Sequence, residues 1–218
     1  MKYLGLLSYR DGLRAQQNAL EQLTRGTDFV LLGLEHHLVV TLGVRGNAET
    51  DVQTTASDLA VKGIEVVATG RGGQATLHSP GQLVIYPCVN LRAFDLGPRD
   101  YVELVQTVTQ DWLGTFGIAA AVGASEPGLF IDGAKVAAFG FKISRGFTSH
   151  GLAINVRNDL GLFDTIRTCG VSNQRLTRMA DHGVSETLEA LFLSWATAFA
   201  RSLALLRLPI LTEAVPAH

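Results

Sequence analysis

The sequence is poor in cysteine and in charge. Among its 218 residues only Cys88 and Cys169 are cysteines, 17% are charged, and the formal net charge is −2. Two cysteines so far apart in the chain suggest neither a disulfide framework nor a zinc site. A weakly acidic chain also lacks the strong positive charge of a general nucleic-acid-binding protein. We therefore expect no nucleic-acid partner and a reducing, cytoplasmic setting in which a cysteine remains a free thiol.

Long apolar segments are missing as well. No apolar run reaches the ~18–20 residues that a membrane-spanning helix needs, and the N-terminus lacks the long apolar core of a signal peptide. Hydrophobic residues nevertheless make up 47% of the chain, which is typical of a globular protein. The length suits one well-buried domain or two small ones, and no membrane partner is expected.

Apolar periodicity and glycine positions predict a mixture of helices and strands. The predicted helices cover residues 11–24, 51–62, 101–116 and 185–203. The predicted strands cover residues 29–34, 38–42, 64–69, 83–91, 129–131, 134–145 and 150–157. Asp132-Gly133 between two strand-like runs predicts a tight hairpin, because both residues tolerate positive φ. The expected fold class is α/β (α+β), a single domain with a mixed sheet.

Lys135 heads a predicted strand whose same face, by alternation, carries Ala137, Phe139, Phe141 and Ile143. An ammonium in that position either reaches water at the strand end or lies in the wall of an apolar cavity. The first arrangement is the commoner one, and the residues alone leave both open.

Cys169 lies between Thr168 and Gly170, outside any periodic element, where functional residues are over-represented. A cysteine nucleophile must be a thiolate, so it needs a positive neighbour such as Lys135. The backbone N–H of Gly170 would be able to approach a developing oxyanion. A lone cysteine is more often a small core residue, and Cys88, within a predicted strand, is expected to be one.

The segment 71–81 is rich in glycine and carries two basic side chains, Arg71 and His78. It is neither a Walker A loop nor a dinucleotide-binding fingerprint. Paired glycines allow a ligand to approach the backbone closely, so the segment is either a ligand-lining loop or an elaborate turn. The six histidines show no metal-ligand spacing, and no catalytic metal is expected.

Short motifs follow one another in a fixed order between about residues 29 and 170. They are Leu34-Glu35-His36, Thr41-Leu42-Gly43, Arg71-Gly72-Gly73, Thr76, His78, Pro80-Gly81-Gln82-Leu83, Tyr86-Pro87, Asp132-Gly133-Ala134-Lys135, His150-Gly151-Leu152-Ala153 and Cys169-Gly170. In this order they resemble the lipoyl(octanoyl) transferases of the biotin/lipoate protein ligase superfamily. The chain departs from that family at Leu77, Ser79 and Thr168, and Phe139 and Phe141 replace residues that are smaller or differently shaped there.

The resemblance implies one catalytic domain of the biotin/lipoate A/B protein ligase type over residues 1–218. It implies a catalytic dyad of Cys169 and Lys135, with the backbone of Gly170 as a candidate oxyanion donor. It also implies a set of residues that bind the acyl substrate: Arg71, Gly72, Gly73, Gln74, Ala75, Thr76, Leu77, His78, Ala138, Phe139, Gly140, Gly151, Leu152 and Ala153.

The reaction implied by the resemblance moves an octanoyl or lipoyl group through a cysteine thioester. The donor is the phosphopantetheine of an acyl carrier protein, and the acceptors are lysines of the lipoyl domains of 2-oxoacid dehydrogenases and of the glycine cleavage H protein. Neither ATP nor a metal cofactor is implied. Residues 129–180 hold seven Lys or Arg against three Asp, which is either a basic rim that steers an acidic carrier or a solvated mixed surface.

Two other functions fit parts of the pattern. An ATP-dependent lipoate or biotin protein ligase shares the superfamily but does not need a cysteine at position 169. A catalytically silent domain that binds acyl groups or the carrier protein would tolerate the departures at Leu77, Ser79 and Thr168.

Overall fold

A computed structural model gives the fold and describes residues 1–123, 127–167 and 174–207. The α-helices in these ranges are α1 (Tyr9–Thr24), α2 (Ala48–Asp51), α3 (Ala56–Val61), α4 (Pro98–Gly114) and α5 (Leu188–Leu205). The strands are β1 (Lys2–Leu7), β2 (Phe29–His36), β3 (Val39–Leu42), β4 (Glu65–Ala68), β5 (Ala75–His78), β6 (Gln82–Val89), β7 (Ala121–Val122), β8 (Gly128–Ile131), β9 (Ala134–Ser144) and β10 (Phe147–Asn155). Short 3-10 turns cover Leu91–Phe94, Leu160–Thr165 and Met179–His182.

The strands form two sheets. The larger has seven strands in the order β1-β2-β6-β10-β9-β8-β7, and the smaller has three in the order β4-β3-β5. The pairs β1–β2 and β3–β4 are parallel, whereas the other pairs are antiparallel. Parallel and antiparallel pairs in one molecule confirm the predicted mixed α/β class.

The main core lies between one face of the larger sheet and the helices α4 and α5. Trp195, Tyr101 and Phe192 are completely buried there. The indole N–H of Trp195 donates to Thr109 Oγ1 at 3.0 Å, so this buried polar atom is satisfied. A second cluster packs α1 against the opposite face, and a third fills the space beneath the smaller sheet. The larger sheet is therefore covered on both faces.

Helix α5 is the one helix of the described residues that is long and apolar enough to cross a membrane. Its Leu191, Trp195 and Phe199 side chains are wholly buried in the main core, and the helix packs against α4 and the larger sheet. The apolar face of α5 is accounted for by this packing.

The predicted Asp132-Gly133 hairpin is confirmed, with φ values of 48° and 77° between β8 and β9. The single helix predicted over residues 51–62 is wrong. Val52 is extended and forms a bridge to Ile166, and α3 begins only after Thr55, whose side chain caps the N–H of Asp58. A tertiary contact therefore overrides the helical pattern.

Three strands were not predicted: β1, β5 and the two-residue β7. Strand β5 has only four residues, too few to show a period, and it forms by pairing with β3. Strand β10 begins at Phe147, three residues before the predicted start. His150 has a φ of 56° inside this strand, which is uncommon for a residue with a side chain.

Candidate active site

A cavity of about 560 Å³ lies between the larger sheet, β5 and the loop that precedes β5. Of the residues expected to bind substrate, those that line it are Arg71, Gly72, Gly73, Gln74, Ala75, Thr76, His78, Ala138, Phe139, Gly140, Gly151, Leu152 and Ala153. Leu77 does not line it, because alternation along β5 turns this side chain away. Leu77 is fully buried in the cluster beneath the smaller sheet. The structure thus brings three separate sequence segments into one wall.

The loop of residues 71–74 is shaped by the guanidinium of Arg71. Its Nη2 donates to the carbonyl oxygens of Thr41 at 2.6 Å and Gln74 at 2.7 Å, and its Nε donates to Thr41 Oγ1 at 3.0 Å. Gly73 has a φ of 90°, and a Cβ at Gly43 would lie 2.3 Å from the Gly73 carbonyl oxygen. Most of Arg71's five N–H donors therefore hold the loop itself in place.

Four small residues form a trough under this loop. On β9 and β10, Ala138 pairs with Ala153 and Gly140 pairs with Gly151. A Cβ at Gly140 would lie 3.2 Å from the carbonyl oxygen of Gly72, which shows how closely the loop covers the strand. We call these four residues the small-residue trough. Because none of these residues has a side chain larger than a methyl group, the trough leaves apolar space above the sheet.

Lys135 lies in the same cavity and is only 5% exposed. Its Nζ is 5.3 Å from the centre of the Phe130 ring, and its Cε lies where a side chain on Gly128 would be. Leu129 pairs with Ala137 and Phe130 with Lys135, so Val136 is an extra residue in β9. This bulge interrupts the regular alternation between Lys135 and Ala137 that the sequence predicted, although both residues line the cavity. Val136 and Ala137 both belong to the main core, and Lys135, Ala137 and Ala138 all line the cavity.

Two buried histidines, His78 and His150, line the cavity, and a third, His36, lies behind the wall against His78. His36 Nδ1 donates to the Leu7 carbonyl oxygen at 3.3 Å, so its Nε2 accepts from the Tyr86 hydroxyl at 2.7 Å. Burial lowers the pKa of His36 to about 4, that of His78 to about 3 and that of His150 to about 4. All three imidazoles are therefore neutral near pH 7. Within the described ranges, no group of three His, Cys, Asp or Glu side chains is arranged to hold a metal ion.

Of the two cysteines, the structure describes Cys88 but not Cys169. Cys88 is fully buried in β6, and burial raises the pKa of its thiol to about 12, as fits a core residue. Cys169 and Gly170 lie outside the described residues. On either side of that segment, Phe163, Gln174 and Leu176 line the cavity.

Comparisons with known proteins agree with this architecture. Residues 8–200 match the model of the lipoyl protein ligase A/B catalytic domain. The chain belongs to this family. An octanoyltransferase of Laribacter hongkongensis is 39% identical over 188 residues, covering 86% of this chain and 87% of that protein. An octanoyltransferase of Xanthomonas campestris pv. campestris is 37% identical over 213 residues, covering 98% and 88%.

Solved structures show the same fold at lower identity. A lipoate-protein ligase A bound with ATP superposes with a TM-score of 0.77 at 18% identity, covering 94% of this chain and 86% of that one. A biotin protein ligase from Aquifex aeolicus gives a TM-score of 0.52 at 15% identity, covering 93% and 69%. The family fold therefore matches the one expected from the sequence motifs.

Several cavity residues were not singled out from the sequence: Tyr9, Gln82, Tyr86, His150 and Asn155. Four of them lie in or beside motifs that carried the resemblance, so their position in the motif was an available signal. Tyr9 had no such signal, because it begins an ordinary amphipathic helix. Only the packing of α1 on the larger sheet brings its ring to the cavity.

Proposed function

We propose that this chain transfers an octanoyl group to a lysine of lipoyl domains, as an acyltransferase of protein lipoylation that uses Cys169 as its nucleophile. The observation that carries the proposal is the covered small-residue trough with Lys135 in the same cavity wall, in a family whose relatives at 36–39% identity are octanoyltransferases. Burying an alkyl chain contributes ~0.8 kcal/mol per CH₂, so an octanoyl chain gains several kcal/mol of binding in such a trough.

The first half-reaction loads the acyl group onto the enzyme. Cys169 and Lys135 form a thiolate–ammonium pair, and the thiolate attacks the carbonyl carbon of the octanoyl thioester. The backbone N–H of Gly170 stabilises the tetrahedral oxyanion. When the intermediate collapses, the bond to the pantetheine sulfur breaks, and that sulfur takes the proton from Lys135. The acyl group is then a thioester on Cys169, and Lys135 is a neutral amine.

The second half-reaction transfers the octanoyl group from Cys169 to the acceptor. The amine of the acceptor lysine attacks the enzyme thioester, and Lys135 accepts the proton that this nitrogen loses. The carbon–sulfur bond to Cys169 breaks, which yields an amide on the acceptor and regenerates the thiolate–ammonium pair. The thioester donor already carries the required activation, so the scheme uses no ATP and no metal.

The charges of the cavity favour an anionic donor arm. Among the described residues that line it, the charged ones are Arg45, Arg71, Arg99 and Lys135. The proposed donor is the phosphopantetheine of an acyl carrier protein, which is acidic, and a positive entrance would steer it. The proposed acceptors are the lipoyl domains of 2-oxoacid dehydrogenases and the glycine cleavage H protein. We place the enzyme in the cytoplasm and assign residues 1–218 to one catalytic domain.

Intact-mass analysis after incubation with octanoyl carrier protein tests the proposal. The native protein and Cys88→Ala should gain one octanoyl group, and Cys169→Ala should gain none. Retention of the adduct in Cys169→Ala would defeat the proposed nucleophile. Lys135→Ala should react more slowly with a thiol-alkylating reagent at neutral pH, because the ammonium that favours the thiolate is gone.

A parallel incubation separates the transferase from a ligase that shares its fold. Free octanoate, ATP and the acceptor lipoyl domain should give no octanoylated product, because the scheme has no step that activates a carboxylate. Product formation from these three components would assign ATP-dependent ligase activity instead. No adduct and no product in either incubation would favour a binding domain without catalysis.

A further inference from the structure

Two buried amide side chains, Gln82 and Asn155, face each other across β6 and β10 in the cavity wall. They are cross-strand partners at the end of the ladder and are 2% and 5% exposed. Gln82 Nε2 donates to Asn155 Oδ1 at 3.1 Å. Polar side chains that are this deeply buried normally have their hydrogen bonds satisfied, so the partners of the two amides indicate what the pair does.

The partners fix the direction of both amides. Gln82 Nε2 also donates to the Leu77 carbonyl oxygen at 3.3 Å, so its Oε1 is left to accept from His78 Nδ1 at 2.7 Å. Asn155 Oδ1 also accepts from Asn158 Nδ2 at 3.2 Å, and its Nδ2 donates to the Thr177 carbonyl oxygen at 3.2 Å. If the nitrogen and oxygen of either amide were exchanged, donors would face donors and acceptors would face acceptors.

The far end of this network reaches Lys135. The backbone N–H of Thr177 donates to the Lys135 carbonyl oxygen at 3.0 Å, and the N–H of Lys135 donates to the Arg175 carbonyl oxygen at 2.8 Å. A continuous hydrogen-bonded path therefore runs from His78 on β5 through Gln82, Asn155 and Thr177 to the head of β9. It ties the smaller sheet to the backbone of Lys135.

The head of β9 depends on such a support. The bulge at Val136 interrupts the regular ladder between β8 and β9 next to Lys135. On its other side the backbone of Lys135 is held by an isolated bridge to Leu176, and the amide of Asn155 holds the segment that makes this bridge. Loss of the Asn155–Thr177 bond would let this support shift relative to the small-residue trough.

We propose that Gln82 and Asn155 are positioning residues that fix Lys135 relative to the acyl trough. The inference rests on the proposed function, in which Lys135 pairs with the thiolate and moves the proton. Neither amide takes part in bond making. A shift of about 1 Å in such a group can reduce a rate on the order of 100-fold, so a purely geometric role has a measurable effect.

The test compares Asn155→Ala, Gln82→Ala, the double variant and a control. Thr109→Val is a matched control, because Thr109 is a buried polar residue whose bond to Trp195 lies between α4 and α5, away from the cavity. Single-turnover acylation by octanoyl carrier protein should slow on the order of 10- to 100-fold in the two amide variants. The dissociation constant of the donor should change little, since the trough residues are intact. Thr109→Val should lose thermal stability but keep the wild-type acylation rate per folded molecule.

A second readout does not need the octanoyl donor. The pH profile of alkylation of Cys169 should move to higher pH in Asn155→Ala, because a displaced ammonium favours the thiolate less. Asn155→Leu keeps the approximate size and adds no charge but removes the N–H that the Thr177 carbonyl oxygen accepts, so it should show the same shift if Asn155→Ala fails to fold. A wild-type alkylation profile in both folded variants would overturn the proposal.

The double variant tests whether the two amides act along one path. Because they are linked in series, the double variant should be no slower than the slower single variant, whereas additive losses would indicate independent effects and overturn the proposal. Absence of an adduct on Cys169 in the wild-type protein would instead defeat the proposed function. The alkylation profiles would still decide whether the amides position Lys135.

Discussion

Replacement of Ala153 by leucine should shorten the acyl chain that the enzyme accepts. Ala153 and Ala138 lie side by side on neighbouring strands in the floor of the small-residue trough, and Ala153 is 7% exposed. Leucine adds three carbons to the floor of the channel, so about three methylenes of an octanoyl chain lose their place. At ~0.8 kcal/mol per methylene this costs about 2.4 kcal/mol, which corresponds to about 60-fold in kcat/KM.

The assay is the ratio of kcat/KM for octanoyl and butanoyl carrier protein, measured for the wild type and for Ala153→Leu. The ratio should fall by about the full 60-fold, because a butanoyl chain does not need the occupied part of the trough. Ala190→Leu, at an exposed position of α5 away from the cavity, serves as the control and should keep the wild-type ratio. An unchanged ratio in a folded Ala153→Leu protein would mean that the acyl chain does not lie in this trough.

Two further outcomes follow from burial and charge. The three buried histidines have pKa values lowered below 6.5, so the unfolded chain binds more protons than the folded one as the pH falls from about 6.5 towards 4. The free energy of unfolding should therefore decrease over this window by up to about 1.4 kcal/mol per pH unit for each histidine. Urea unfolding at a series of pH values should show a weaker dependence of this free energy on pH in His150→Gln than in the wild type. A free energy of unfolding that is constant between pH 6.5 and 5 would contradict the reasoning. Cys88, whose pKa is raised to about 12 by burial, should resist alkylation in the native protein at pH 7.5 and react only after denaturation, and mass mapping that finds Cys88 labelled as fast as Cys169 would refute the assignment.

Much of the fold was predictable because its signals are local. Helices α1, α4 and α5 carry apolar residues at helical spacing, and the Asp132-Gly133 turn needs only two residues that tolerate positive φ. The helix predicted over residues 51–62 was wrong because the pairing of Val52 with Ile166, 114 positions away in the chain, is invisible to a local pattern. Strand β5 was missed for the same reason, since its pairing with β3 supplies what its short sequence does not.

The candidate site likewise has features that the sequence predicted and features that it did not. The order of the motifs indicated which segments share a cavity, and the family comparison supports the class of reaction. The bulge next to Lys135 is a feature that no alternation rule predicts. Leu77 belongs to the motif but points into the core, because a strand turns alternate side chains to opposite faces.

By itself the sequence determined the mixed α/β class, the family and the residue types on which the proposed chemistry depends. Only the tertiary structure decided that β9 has a bulge next to Lys135, that small residues from two strands form one trough, and that Gln82 and Asn155 join distant segments. The physical reason is the separation in sequence between the residues that interact. Helix periodicity and turn chemistry depend on neighbours in the chain, whereas a bulge, a cross-strand pair and a buried amide network exist only once strands far apart in sequence have been packed together.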